Sequence, residues 1–372
     1  MTDTRWAWAE IDLSAIAANV RTLKALTPRS TQFMAVVKAD GYGHGAVQVA
    51  RAALAAGADR LGVATVDEAL GLRGAGIDAP IQVLSEPPAT SIELLLEHSV
   101  TPTVTSREFA LALGRSAVAR GERAEYHLKI DTGMNRIGVR AEEAGEFAAR
   151  LADVHGLALE GTFTHFATAD VPGDWDFDRQ LERFAAAIEE MRTEGVSPGI
   201  VHSANSPATI LHPESHFDMV RCGIAIYGLH PAPSTRDVVD LKPAMSVKAR
   251  VLLVKRISMG EGVSYGLTYR AAAPTTIATV PLGYADGVHR VLSNEMSVLL
   301  GGERVAQVGR ICMDQLMIEV PRTVDVRAGD EVVLVGAQGN QRIVLDDLAE
   351  KAGTINYEMA CAFGRRLPRA YS

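Results

Sequence analysis

Residues 33–38, FMAVVK, run directly into the glycine-rich ADGYGHG (39–45), then into AVQVARAALAAGA (46–58) and LGVA (61–64). An apolar run of strand length, a loop, an amphipathic stretch of helix length and a second apolar run make one strand–helix–strand unit. The alternation continues through IQVL (81–84), TPTVT (101–105), EYHLKI (125–130), LEGTFTH (159–165), IVHSA (200–204) and MVRCG (219–223). Between these lie helical patterns such as REFALALGRSAVARG (107–121) and RQLERFAAAIEEMRTEG (179–195). Eight strand candidates spaced by helices predict an α/β fold, a (β/α)8 TIM-type barrel. A doubly wound sheet shares that periodicity, because alternation does not show closure. No glycine-rich dinucleotide fingerprint follows the first strand.

The pattern changes near residue 235. PAPSTRDVVDLKP (231–243) has the Pro, Ser and Asp content of a linker. After it come MSVKARVLLVKRI, TTIATVPLG, RVAQVG, QLMIEV and DEVVLVG, separated by turn signals and few helical intervals. We expect a barrel over residues 10–235 and a mostly β C-terminal domain over 236–372, joined by a strand from residues 1–9. The 372 residues suffice for two domains of this size.

A formal net charge of -8 lends no support to a nucleic-acid surface. Cys222, Cys312 and Cys361 are too far apart in sequence for a zinc ladder or a disulfide framework, and small buried side chains are the plain reading of them. Acidic and polar residues interrupt the N-terminus as a signal peptide, and charges cut short every candidate membrane span. A cytoplasmic location without a membrane partner is the resulting expectation.

Lysine is scarce, with seven lysines against thirty arginines, and Lys38 closes the first strand. Barrel active sites collect at the C-terminal ends of the strands. A partly desolvated amine there loses proton affinity and becomes a usable nucleophile or base. A lysine snorkelling from a strand end is the commoner case. The three glycines of the following loop permit unusual dihedrals and close backbone approach to an anion.

AVVKADGYGHG (35–45) resembles the cofactor-lysine signature of the bacterial alanine racemases, and similarity to that family extends from AEIDLSAIAANV to TINYEMACAFGRRLPRAY. The resemblance implies a homodimeric enzyme that interconverts L-alanine and D-alanine with pyridoxal 5'-phosphate (PLP), feeding peptidoglycan synthesis. It assigns Lys38 as the covalent PLP anchor and the base on the D face. Tyr265, in GEGVSYGLTY, becomes the base on the L face, reaching across the dimer. A tyrosine has an ordinary pKa of about 10, so nearby positive charge must stabilise its phenolate.

In the block HLKIDTGMNRIG (127–138), Arg136 would meet the substrate carboxylate side of the pocket. Lys129 matches a lysine often carbamylated in the family, which would orient Arg136. Arg221, in FDMVRCGIAIYG, would face the pyridine nitrogen and, as an obligate donor, leave it unprotonated. His165 would lie near the ring. Tyr42, Ser206, the N–H groups of Gly223 and Ile224, and Tyr357 would hold the phosphate, with Asn205 ordering Ser206. Met313 would present its backbone N–H to the substrate, supported by Cys312 and Asp314. Tyr284 and Asp286, in PLGYADGVHR, match the mouth of the substrate channel. His289 stands where the family commonly has proline, and NSPAT differs modestly from frequent variants.

A PLP-dependent amino-acid decarboxylase is the nearest alternative, but it would place an acidic residue where Arg221 stands. A PLP-binding protein without catalysis would match the barrel alone and leave the β domain with Tyr265 and Met313 unexplained.

Overall fold

The computed structural model describes residues 5–171 and 173–372. Two compact units form. One comprises Ser14–Gly41 and Ala46–Pro243, and the other Met1–Leu13, Tyr42–Gly45 and Ala244–Ser372.

The first unit is a closed parallel barrel. Met219–Cys222 pairs with Gln32–Val36, which pairs with Arg60–Val63, then Ile81–Val83, then Val100–Thr101. Pro102 interrupts the next strand because it lacks the N–H a ladder needs. Pairing resumes at Thr103–Val104 and passes through Ala124–Asp131 and Leu157–Phe163 to Ile200–His202. Asp218 N–H donating to the Val201 carbonyl (3.0 Å) and Arg221 N–H to that of Ala204 (2.9 Å) bring the last strands together.

Helices between the strands start on local side-chain caps. Thr65 Oγ1 accepts from Glu68 N–H while the Glu68 carboxylate accepts from Thr65 N–H, a reciprocal capping box. Ser106 accepts from Phe109 N–H, and Asp174 from Asp176 N–H.

The barrel interior is unusually polar. On Ala124–Asp131, Tyr126, Leu128 and Ile130 take one face, while His127 and Lys129 share the other and are buried. His202, Arg221, Gln82 and Thr103 are also buried. Such polar groups survive burial only with partners.

The second unit is mostly β. Its larger sheet runs Glu303–Ala306, Ser297–Leu300, Glu331–Gln338, Met245–Arg250, Ala7–Ile11, Arg369–Tyr371. Ala7–Ile11 is antiparallel to Met245–Arg250 and parallel to Arg369–Tyr371. Residues 1–4 of the expected N-terminal strand lie outside the described residues. A second sheet orders Leu253–Ile257, Thr275–Val280 and Leu316–Val320, with Val263, Ile277 and Val308 packed in a small core. Two helices near the C-terminus, Leu345–Ala352 and Asn356–Ala362, lie among the strands.

The division falls between Pro243 and Ala244, not at the expected 235/236. Asn19 holds the intervening segment in place. Its side-chain amide donates to the carbonyls of Ile226 (3.1 Å) and Lys242 (2.9 Å) and its oxygen accepts from Lys242 N–H (2.8 Å), tying the linker-like segment to the barrel unit.

Candidate active site

Lys38 leaves the C-terminal end of strand Gln32–Val36, half-buried. The chain then enters left-handed geometry. Ala39 (φ 53°), Asp40 (53°), Gly41 (62°) and Tyr42 (50°) all have positive φ. For a non-glycine residue that conformation costs on the order of 1–2 kcal/mol, and it persists where surroundings over-determine it. The supports are visible. Ala39 N–H donates to Glu68 Oε1 (2.6 Å), and Asp40 Oδ1 accepts from Ala46 N–H (3.0 Å). The turn fixes where the lysine side chain starts.

Around it in the same unit, Arg221 is buried with its Nη2 donating to the carbonyls of Thr164 (2.7 Å) and Ser203 (2.9 Å), and reaching His165 Nδ1 at 3.3 Å. Nη1 lies 3.0 Å from His202 Nδ1. Among the described residues no carboxylate pairs with it, and burial pulls the guanidinium down to about 9. Lys129 is also buried, and its ammonium lies 4.8 Å from the Phe163 ring centroid. Desolvation first, then the cations Arg221 and Arg136, bring it down to about 7. Arg136 itself is exposed.

His165 is held well below the ordinary imidazole range by desolvation and then by Arg221, Lys129, Arg136 and Lys38, in that order. Four cations thus depress one imidazole just beyond the C-terminal ends of the strands, while the Asp131 carboxylate offsets part of that charge at Lys129. Ser206 Oγ accepts from Gly223 N–H at 2.9 Å, while Asn205 Oδ1 accepts from Ala208 N–H at 3.2 Å. Ile224 opens the tight turn Ile224–Tyr227, whose leading N–H groups lack partners within the turn.

The β unit carries the other candidates. Tyr42 and Tyr357 approach with ring centroids 6.3 Å apart. Gly43 (φ 81°) could not carry a side chain, because an added Cβ would lie 2.4 Å from the Ala360 carbonyl oxygen. Tyr265 is 68% exposed on the turn Tyr265–Leu267, flanked by the positive-φ residues Ser264 and Leu267. Ser264 Oγ donates to the Arg310 carbonyl (2.5 Å) and lies 3.3 Å from Cys312 Sγ, which ties this turn to the segment carrying Met313. Met313 is 52% exposed.

Tyr284 and Ala285 donate their N–H groups to the carbonyls of Cys312 and Met313 (3.0 Å each). Tyr284 is exposed, whereas Asp286 is fully buried. The Asp286 carboxylate takes Arg5 at 2.5 Å, Arg366 at 3.5 Å and Gly283 N–H at 3.1 Å. Asp286 therefore pins the loop that presents Tyr284. Asp314 pairs with the same Arg366.

The structure also joins residues that sequence reasoning passed over. His127, His202 and Glu160 link to Arg221 by hydrogen bonds inside the barrel. The available signal was the alternation in EYHLKI, which puts His127 on the face of Lys129.

A closed parallel barrel with a strand-end lysine, accompanied by a mostly β unit presenting an exposed tyrosine, defines a class of two-domain barrel enzymes. The alanine racemase N-terminal domain family matches residues 11–231 and the alanine racemase C-terminal domain family matches residues 244–371. The alanine racemase of Symbiobacterium thermophilum is 49% identical over 367 residues, covering 99% of this chain and 97% of that protein. The crystal structure of Bacillus anthracis alanine racemase with bound L-Ala-P superimposes with a TM-score of 0.94 at 42% identity, covering 100% of this chain and 96% of that one. A histidine racemase from Leuconostoc mesenteroides superimposes with a TM-score of 0.91 at 31% identity, covering 100% and 99%. The chain belongs to the alanine racemase family.

Proposed function

We propose that this chain interconverts L-alanine and D-alanine by a two-base mechanism with PLP, as a homodimer, supplying D-alanine for peptidoglycan from the cytoplasm. The observation that carries the proposal is Arg221, buried with no carboxylate partner among the described residues, 3.3 Å from His165 and on the strand paired beside the one that Lys38 follows. A mouth with that charge suits a ligand bearing a phosphate and a substrate bearing a carboxylate. The donor set fits PLP: a primary amine for its aldehyde, the Ser206 hydroxyl, the Ile224 N–H and the Gly223 N–H, once turned from Ser206 Oγ, for its phosphate, and a donor at Arg221 for its ring nitrogen.

Lys38 would hold the cofactor and exchange a proton at the substrate Cα on one face, and Tyr265 of the partner subunit would do so on the other. Bound PLP supplies an electron-withdrawing ring that acidifies this hydrogen. Tyr42 and Tyr357 would donate to the phosphate, with Asn205 holding the Ser206 turn in shape. Arg136 and the Met313 N–H would orient the carboxylate, and Lys129 would orient Arg136 if carbamylated. The exposure of Tyr265 and Met313 supports a role completed by another subunit. Facing the ring nitrogen, Arg221 would leave it unprotonated and the ring a weaker electron sink, which disfavours transamination.

The test is incubation of PLP-loaded protein with L-alanine in heavy water, with chiral separation and mass analysis. Deuterated D-alanine without ethylamine or pyruvate is the expected product. L-Histidine run in parallel addresses side-chain choice. Faster turnover of histidine than alanine would overturn the substrate, and ethylamine with carbon dioxide would overturn the reaction. A small pocket separates substrates differing by one methylene by only about 1–3 kcal/mol, so slow serine turnover is expected.

A further inference from the structure

Arg221 is the end of a chain of side chains that crosses the barrel interior. Its Nη1 lies 3.0 Å from His202 Nδ1, His202 Nε2 lies 2.7 Å from His127 Nδ1, and His127 Nε2 lies 3.1 Å from Glu160 Oε2. The other Glu160 oxygen is paired with Arg60, and Thr101 Oγ1 donates to Oε2 at 3.3 Å. Arg60 opens its strand, whereas Arg221 stands near the end of its own. The chain therefore runs from the N-terminal side of the barrel towards the mouth.

The two ends differ in kind. A guanidinium can only donate, and a carboxylate can only accept. Each neutral imidazole between them has one donor and one acceptor. Only one arrangement satisfies all three contacts: Arg221 donates to His202 Nδ1, His202 Nε2–H donates to His127 Nδ1, and His127 Nε2–H donates to Glu160. Protonating either imidazole, or reversing either tautomer, sets two donors against each other.

The surroundings are built for this chain. Gly161 leaves the space that the His127 ring fills, since a Cβ there would lie 2.6 Å from His127 Cε1. Phe163 stacks on His202 with centroids 4.8 Å apart and planes 6° from parallel. Burial keeps both imidazoles below their usual range and hence neutral. Burial alone would raise the Glu160 carboxyl, but the hydrogen bonds from His127 and Arg60 outweigh it and hold the group at about 2.

We propose that Glu160 is a positioning residue for Arg221, acting through His127 and His202 along a one-way hydrogen-bond chain that fixes the tautomer of both imidazoles. The carboxylate two imidazoles away guarantees that Arg221 meets an acceptor at His202. That Arg221 serves the bound cofactor rests on the function proposed above, whereas the tautomer assignment does not. No earlier-named site residue explains why a glutamate and two histidines occupy the barrel interior.

The experiment is nitrogen-15 NMR of histidine-labelled full-length protein, cofactor-free and PLP-loaded, with assignment by His127→Gln and His202→Gln. Both rings are expected as neutral Nε2–H tautomers at pH 7. A cationic or Nδ1–H His202 in the unsubstituted protein overturns the proposal without recourse to any variant. In Glu160→Gln, Arg60 takes the single amide oxygen and the amide NH2 faces His127, so both tautomers should invert. In the loaded enzyme kcat should fall about 10- to 100-fold, the scale of one lost hydrogen bond to a charged group, with KM for alanine moving less. Adding Arg60→Met frees the amide to turn its oxygen towards His127, and the Nε2–H signals should return. Inverted tautomers with unchanged kcat would overturn the positioning role. Absence of alanine turnover in the unsubstituted enzyme would instead sink the function and leave the tautomer result standing.

Discussion

The barrel unit and the β unit present their candidate residues in opposite ways. In the barrel, Arg221 and Lys129 are buried and each orientation is set by neighbours in the same unit. In the β unit, Tyr265 and Met313 are largely exposed at the tips of tied-down turns. The barrel residues have already given up solvent and rotamer freedom during folding, so a ligand need not order them again. The exposed tyrosine keeps both freedoms until something covers it. The lesson is that the barrel pre-organises its half of the proposed site while the β unit offers its half outward.

The largest effect that would test this contrast comes from mixing variants. Lys38→Ala and Tyr265→Phe should each lower kcat by about 10²–10⁴, the range of a lost general acid or base. Lys38→Ala should also lose the visible absorbance of bound cofactor, which Tyr265→Phe should keep. Co-refolded together, the two inactive variants should regain activity, because a mixed dimer holds one site with both residues intact. A mixture as inactive as its parents would show that Lys38 and Tyr265 act within one chain.

A second test concerns the space inside the barrel. Gly161→Ala sets a methyl group 2.6 Å from both His127 Cε1 and the Ile200 carbonyl. Overpacking of this kind costs about 1–3 kcal/mol, readable as a lower midpoint in urea. An unchanged midpoint would mean that the interior chain yields easily and is less pre-organised than its geometry implies.

The last effect, smallest when read over a single pH unit, is a pH slope. Burial brings the Lys129 amine down to about 7 in the folded protein, against an ordinary lysine value of about 10.5. Between those values the unfolded chain carries the proton and the folded one does not, so stability from this group rises with pH. Below pH 7 both states are protonated and its contribution is flat. Lys129→Met should remove up to about 1.4 kcal/mol per pH unit from the slope of unfolding free energy between pH 7 and 10. An identical slope in both proteins would show that Lys129 is not an ordinary amine, as carbamylation would make it.

The barrel was legible because its strands are short and apolar and its helices carry a 3.6-residue period over many turns. The β unit was less so. Ser297–Leu300 went unread beside the stronger runs, and Leu345–Ala352 was missed although LDDLAEKAG places acids in its first turn, Lys351 in its last and the left-handed Gly353 after it. In the loop after Lys38, glycine content suggested unusual dihedrals, yet Ala39, Asp40 and Tyr42 adopt them too. Nothing in their residue types announces that. Glu68, contributed by a helix well downstream, supports the turn.

By itself the sequence determined the strand and helix periods, the lysine at a strand end and the matched motifs from end to end, because these depend on residues near one another in the chain. Only the tertiary structure decided that Asn19 carries the linker with the barrel, that Asp286 is an anchor buried beneath Tyr284, and that Glu160 reaches Arg221 through two histidines. Each of those depends on donors and acceptors from distant segments meeting within hydrogen-bond distance. A one-dimensional pattern records which groups are present, but the direction of a hydrogen bond exists only once both partners are in place.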